Sequence, residues 1–227
     1  MSAGRNVIAV IGGTGAEGRG LALRWAMAGH EVIVGSRDAA RAAAAAAAIA
    51  AKAPGTRISG AASGEAASRA QIVVLTVPYA AQRDAALGLR VALEGKILVD
   101  VTVPLVPPKV SRVQLPAEHS CVEALQRALG EGVRVVSAFQ NVSAHKLSDP
   151  GHRIECDVLV CSDSKEARQT VIALAADAGL RGIDAGPLAN SVAAEAMTSL
   201  LIWINRTYKI PDAGLVITGL PSSAPPS

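Results

Sequence analysis

Aromatic residues are almost missing from this chain: of 227 residues, two are Trp, two Tyr and one Phe. A core without rings must be filled by Ala, Val, Leu and Ile, and the 50% hydrophobic content supplies them, as in a globular rather than a disordered chain. Cysteine is scarce too. The three, Cys121, Cys156 and Cys161, are odd in number and show no metal-ligand spacing, which argues against a disulfide scaffold or a zinc site. Free thiols in a reducing cytoplasm are expected. Charge of one sign is also lacking. A net +3, with no basic cluster interleaved with aromatics, gives no footprint for nucleic acid, although it suits an anionic small molecule. No apolar run reaches the ~18 residues of a membrane span. The best candidate, Ala193–Ile204, is broken by Glu195 and reads as a buried helix. The opening MSAGRNVIAVIGGTG lacks the shape of a signal peptide, because its short apolar run enters a glycine loop.

What is present is an alternation of apolar β-branched runs and helical stretches. Strands are expected at Asn6–Ile11, Glu31–Val34, Arg57–Ser59, Ile72–Val77, Lys96–Val101, Val133–Ser137, Val158–Cys161 and Arg181–Asp184. Helices are expected at Arg19–Ala28, through the alanine run Ala42–Ala48 with Ser36 as its cap, and at Ala66–Arg69, Gln82–Leu87 and Glu118–Leu129. Two more are expected from the Ser164 cap to Ala178 and at Asn190–Tyr208. Four prolines make Pro104–Pro116 a loop, and Pro221–Ser227 reads as a frayed tail. The series predicts an α/β fold, a Rossmann-type doubly wound parallel sheet with a smaller C-terminal α/β part ending in a long helix. The boundary falls near residue 140, giving a dinucleotide-binding part (1–140) and a smaller part (141–227).

The first strand runs into Gly13-Thr14-Gly15-Ala16-Glu17-Gly18, a G-x-G-x-x-G string that then opens a helix. In that setting Gly13 permits the tight turn, Gly15 the approach of a pyrophosphate and Gly18 close helix–strand packing, while the helix N-terminus faces the phosphates. An NAD site would place an acid at the end of the second strand. This chain has Ser36-Arg37 there and no acid until Asp38, and Arg41 follows one helical turn later. Ser36, Arg37 and Arg41 can hold a 2′-phosphate by charge-assisted bonds, with Thr14 nearby, so NADP(H) is the expected cofactor.

Ligands of such a sheet lie beyond the carboxyl ends of its strands. The exits here are Thr76-Val77-Pro78, Val101-Thr102 and Ala138 to Gln140, mostly apolar or small, and suited to wall flat rings. An acid–base constellation is missing. There is no Ser-x-x-x-Lys or Tyr-x-x-x-Lys pair, and His30, His119, His145 and His152 are scattered. His30 reads as structural, and of the four only His145 is placed to reach the site. Glu155 and Asp157 read as a solvated flank of Cys156. No catalytic side chain and no metal ligand is nominated. Hydride transfer between two bound cofactors needs chiefly proximity and orientation, whereas a carbonyl reductase would need a proton donor as well.

Several strings together resemble the NADPH-dependent reductases of coenzyme F420, the 8-hydroxy-5-deazaflavin hydride carrier. They are Ile11-Gly12-Gly13-Thr14-Gly15, Gly20-Leu21-Ala22-Leu23-Arg24, Gly29-His30-Glu31, Val34-Gly35-Ser36-Arg37, Leu75-Thr76-Val77-Pro78, Val135-Val136-Ser137-Ala138-Phe139 and Asp184-Ala185-Gly186-Pro187-Leu188 with Asn190. The resemblance spans almost the whole chain. It implies hydride transfer between C4 of NADP(H) and C5 of the deazaflavin, and Thr14, Ser36, Arg37 and Arg41 at the family's 2′-phosphate positions. It further implies a deazaflavin cleft between the Rossmann part and the C-terminal part, and a homodimer with the last helix as an interface element. The chain departs from the family pattern on the acceptor side. Gln140 stands where some members carry His, Val103 where a polar residue is expected, and Ala213–Leu220 matches loosely. Fold alone also admits an NADPH-dependent reductase of another acceptor (a flavin, an imine or a metal chelate) or a non-enzymatic NADP(H) sensor. Lys109, Arg112, Lys146 and Arg206 are the cations available for the deazaflavin's acidic tail.

Overall fold

A computed structural model describes residues 5–151 and 153–220. The Pro221–Ser227 tail and His152 lie outside the described residues. Six parallel strands form one sheet in the order β3-β2-β1-β4-β5-β6, where β1 is Val7–Ile11, β2 Glu31–Ser36, β3 Arg57–Ala62, β4 Ile72–Leu75, β5 Ile97–Asp100 and β6 Arg134–Ser137. The inner strands β1, β4 and β5, buried on both faces, read as near-continuous apolar runs rather than alternating ones. Strand order reverses between β1 and β4, which makes that crevice the switch point of the sheet.

On one face lie α1 (Ala16–Met27) and α2 (Ala39–Lys52). On the other lie α3 (Ser63–Arg69), α4 (Tyr79–Leu87), α5 (Arg90–Leu93) and α6 (Cys121–Leu129). The alanine run of α2 does more than favour a helix. A Cβ on Gly60 of β3 would sit 2.4 Å from the Ala42 carbonyl oxygen, so helix and strand touch backbone to backbone. That is how a core poor in rings is closed. The cap of α2 is not Ser36 but Asp38, whose carboxylate accepts from the Ala40 and Arg41 amides. Asp38 leads because it stands immediately before the first helical residue, where a side-chain oxygen reaches the free amides of the first turn. Ser36 remains the last residue of β2.

The remaining elements are α7 (Ala144–Leu147), β7 (Asp157–Val160), α8 (Lys165–Asp177), β8 (Arg181–Asp184), a 3-10 turn at Leu188–Asn190 and α9 (Ser191–Tyr208). β7 and β8 pair as a separate parallel ribbon, joined to the main sheet by reciprocal bonds between Ser137 and Cys161 of 2.9 and 3.0 Å. Of the expected solvated flank of Cys156, Glu155 is exposed, but Asp157 belongs to an ion-pair site. Asp157 is buried and takes a two-pronged bond from Arg181 at 2.7 and 2.6 Å. The sequence places these residues 24 apart, so the pairing of β7 with β8 had to be seen to find it.

The ribbon and α8 pack on α1 in one core with the sheet. Trp25 is fully enclosed, donates to the Leu174 carbonyl at 2.8 Å and meets Phe139 edge-on at 5.8 Å between ring centres. Arg24 donates to the carbonyls of Leu147, Ala178, Lys146 and Asp149. His30 bonds the Asn6 amide and Asp177, a structural role. Among the described residues, no helix is long and apolar enough to cross a membrane.

Candidate active site

The glycine loop is a cradle in atomic detail. Gly12 has φ +83°, and a Cβ there would lie 2.8 Å from the Thr76 carbonyl. A Cβ on Gly13 would meet the Val10 carbonyl at 2.8 Å, and one on Gly18 would meet Thr76 Oγ1 at 2.5 Å and Gly13 Cα at 2.7 Å. Gly15 differs, since its added Cβ would meet only the Gly12 carbonyl, at 3.4 Å. Gly12, Gly13 and Gly18 are glycines because protein fills the space, and Gly15 because the space is open. Gly15 is also the N-cap of α1, and no side chain caps that end, so its first amides are free for a ligand. A pyrophosphate fits this cradle by charge and by clearance.

Beside the loop, the Gly12 amide bonds the Gly35 carbonyl at 3.0 Å, which sets the exit of β2 against the turn. Ser36 there is half-buried and Arg37 exposed, and Arg41 stands exposed on the first turn of α2. Together they form a cationic, hydroxyl-bearing rim a few residues from the cradle. On the other side of the switch point, Thr76 spends its hydroxyl on the Ile11 carbonyl at 2.9 Å, fixing the β4 exit to the β1 exit. Val77 and Pro78 follow it into α4.

At the β5 exit stand Asp100, Gln82 and Glu195, which sequence reasoning did not nominate for the site, and across from them Glu17 of the glycine string, which it did. Asp100, fully buried, ends β5; Gln82 of α4 donates to its Oδ2 at 2.5 Å and the Thr102 amide to its Oδ1 at 2.9 Å. Burial pushes its carboxyl up to about 6, against the pull of these bonds and with some help from Glu195. Glu17, in the first turn of α1, is half-buried. Burial first, and the Asp100 charge second, push it up to about 8. Glu195 of α9 is buried and accepts from the Ser120 hydroxyl at 2.6 Å and the Cys121 amide at 2.9 Å, holding the start of α6. Burial and these acids drive the Cys121 thiol far above its usual range, so it is no nucleophile. The one sequence signal was an acid inside each apolar run, Asp100 in KILVDV and Glu195 in the last helix.

Gln140 reaches its place through Phe139, whose φ of +72° turns the chain at the end of β6. Non-glycine residues rarely adopt that conformation, and here the buried ring against Trp25 holds it. The Gln140 amide donates to the Asp100 carbonyl and to Ser137 Oγ, both at 2.8 Å. Its own Oε1 is buried with no protein partner. Val101 and Ala138 face the core, so their side chains do not line the cleft. His145 does not reach it either. Its ring is largely exposed, 3.6 Å from Asp212, because α7 turns it outward. Among the described residues no cluster of His, Cys, Asp or Glu could hold a metal.

Residues 7–104 match the family model described as NADP oxidoreductase coenzyme F420-dependent. The F420-dependent NADP reductase of Methanothermobacter marburgensis is 41% identical over 221 residues, covering 94% of this chain and 99% of that protein. That of Methanocaldococcus jannaschii is 40% identical, over 94% and 98%. A crystal structure from Arthrobacter sp. FB24, assigned as an F420-dependent NADP-reductase, superposes with a TM-score of 0.77 at 28% identity, over 93% of this chain and 98% of that one. An imine reductase from Bacillus cereus BAG3X2 shares the fold alone, with a TM-score of 0.60 at 17% identity.

Proposed function

The chain belongs to the family of F420-dependent NADP reductases, and from that premise we infer how its own residues serve an enzyme that passes a hydride between NADP(H) and the deazaflavin coenzyme F420. When bound, the two cofactors supply the chemistry, a hydride exchanged between nicotinamide C4 and deazaflavin C5. The protein supplies place and orientation.

The observation that carries the NADP reading is Gly15, open to a ligand above an uncapped helix end, with Ser36 and Arg37 at the neighbouring strand exit. In this reading the loop Gly13–Gly18 admits the pyrophosphate and the amides of α1 bind it. Thr14, Ser36, Arg37 and Arg41 hold the 2′-phosphate. Thr76, Val77 and Pro78 wall the ring half, with backbone of Val101 and Ala138 beneath. The Thr102 hydroxyl and the unpartnered side-chain Oε1 of Gln140 orient polar edges of the rings. The chain divides by role, with 1–140 carrying NADP(H) and 141–227 closing the deazaflavin side.

Two further expectations belong to this reading. A homodimer would cover the outer face of α9, where Leu200 and Trp203 are 52% and 59% exposed. The three buried cysteines are all free thiols, which suits a reducing cytoplasm.

The test is anaerobic mixing of the protein with NADPH and oxidised deazaflavin, followed by the deazaflavin absorbance. Rapid bleaching with NADPH and little with NADH is expected. Bound NADPH without bleaching would overturn the deazaflavin as acceptor.

A further inference from the structure

Three segments of the cleft meet at Asp100, and each takes one of its oxygens. Oδ1 accepts from the Thr102 amide at 2.9 Å, an Asx-turn that fixes the peptide leaving β5. Oδ2 accepts from Gln82 Nε2 at 2.5 Å, which anchors that turn to α4, the helix that continues the wall of Thr76, Val77 and Pro78. The backbone carbonyl, its direction set by the turn, accepts from the Ala138 amide at 3.3 Å and from Gln140 Nε2 at 2.8 Å, both past the end of β6. Asp100, Gln82, Ala138 and Gln140 are all buried, so water does not compete for these bonds.

A side-chain amide has two ends of nearly equal shape and opposite polarity. At Gln140 the choice between them is made by what Nε2 meets. The Asp100 carbonyl can only accept, and Ser137 Oγ stands beside it at 2.8 Å. The other end, Oε1, is left buried with no protein partner, and buried polar atoms are rarely left so. In the sheet β6 lies three steps from β1, about 14 Å from the cradle at ~4.8 Å per step. That distance carries Gln140 past the dinucleotide to the deazaflavin side, where a lone acceptor calls for an N–H or O–H of the ligand.

We propose that Asp100 is the positioning residue of the acceptor side: its carboxylate, anchored by Gln82, sets the peptide whose carbonyl holds the Gln140 amide, so that Gln140 offers an oxygen and not an N–H to a donor on the deazaflavin. The inference rests on the Gln140 contact proposed above. Asp100 itself is fully enclosed and acts through Gln140. Without the carboxylate, the peptide after Asp100 is free to turn and the Gln140 amide loses one of its two acceptors. The amide then flips, and its N–H meets the ligand's own donor. The loss falls on the orientation of the deazaflavin, and so on hydride transfer, while the hold on NADPH is untouched.

The experiment compares deazaflavin kinetics and NADPH affinity in Asp100→Ala, Asp100→Asn, Gln140→Leu and the double variant Asp100→Ala with Gln140→Leu. Asp100→Ala should raise the deazaflavin KM by about tenfold, the scale of one lost hydrogen bond, and slow single-turnover bleaching, with NADPH affinity unmoved. Asp100→Asn should recover most of this. Its amide oxygen still takes the Thr102 N–H, and Gln82 can turn its own amide to accept from the new NH2. The double variant should be no worse than Gln140→Leu alone, because one residue acts through the other. Additive losses, or a matching loss of NADPH affinity, would make Asp100 a structural residue and overturn the proposal. Unaltered deazaflavin kinetics in Gln140→Leu would instead overturn the Gln140 contact, and the inference with it. Should Asp100→Ala fail to fold, Gln82→Met frees the Oδ2 anchor alone. A severalfold rise in deazaflavin KM at constant NADPH affinity is then expected, and an unchanged KM would overturn the proposal.

Discussion

The Thr198 hydroxyl donates to the backbone carbonyl of Gln140 at 2.7 Å, so the last helix is pinned to the exit of β6. Thr198→Val removes this bond with little change of volume. The loss should cost about 1 kcal/mol where the bond acts, felt as a severalfold rise in KM for the deazaflavin. NADPH affinity, measured by fluorescence titration, should not move. A matching loss of NADPH affinity would place Thr198 in the fold of the NADP half instead.

Arg37→Ala should weaken NADPH binding by roughly ten- to hundredfold, the range of about 1.5–3 kcal/mol for a bond to a charged group. NADH, lacking the phosphate, should bind as before. Equal losses for both cofactors would refute the 2′-phosphate role.

The glycines separate clearance from packing. Gly18→Ala drives a Cβ to 2.5 Å from Thr76 Oγ1 and 2.7 Å from Gly13 Cα, and should lower stability by about 1–3 kcal/mol as overpacked sites do. Gly15→Ala brings its Cβ only to ordinary contact, 3.4 Å from the Gly12 carbonyl, and should leave the melting temperature nearly unchanged while NADPH binding collapses. Parallel calorimetry and cofactor titration of the two variants checks this. Tight binding by Gly15→Val would show the pyrophosphate lies elsewhere.

Stability should fall with pH on the alkaline side. Folded Asp100 and Glu17 keep protons up to about 6 and about 8, whereas unfolded carboxyls lose theirs near ~4. Between these limits the native state binds more protons than the unfolded one, so raising pH destabilises it until both have ionised. Asp157 works oppositely. Burial opposes its ionisation, but Arg181 and the Ile217 amide outweigh this and hold its carboxyl below the usual range. Its contribution is present above the unfolded value and is lost as pH falls through the folded one. The cofactor-free protein should melt higher at pH 5.5 than at pH 8.5, and Glu17→Gln should flatten that slope.

The strands and the cradle were legible in the sequence because both are local. A buried strand is an apolar run, and the G-x-G-x-x-G spacing encodes its own turn. Ends were less legible. The expected strand Ile72–Val77 stops as β4 at Leu75, since Thr76 turns its hydroxyl back to Ile11. The expected helix from Glu118 starts at Cys121, where Ser120 caps it. The expected helix at Arg19 begins at Ala16, because the glycine loop itself is the cap. Partners distant in sequence were not legible at all. Glu195 reads as a flaw in an apolar helix until Ser120, 75 residues away, is seen to bond it. Asp157, Arg181, Asp100 and Gln82 follow the same rule.

One contact limits what can be engineered. A Cβ on Gly20 would lie 2.5 Å from that of Leu147, and Trp25 one turn further on is roofed by Leu174. The last third of the chain is therefore not a cassette. Transplanting 141–220 from a relative with another acceptor would set foreign side chains on Gly20, Arg24 and Trp25, each cut to fit the original neighbour. A chimera that folds has to carry the matching buried stripe of α1 with it, so the C-terminal segment and the helix of the glycine loop are inherited together.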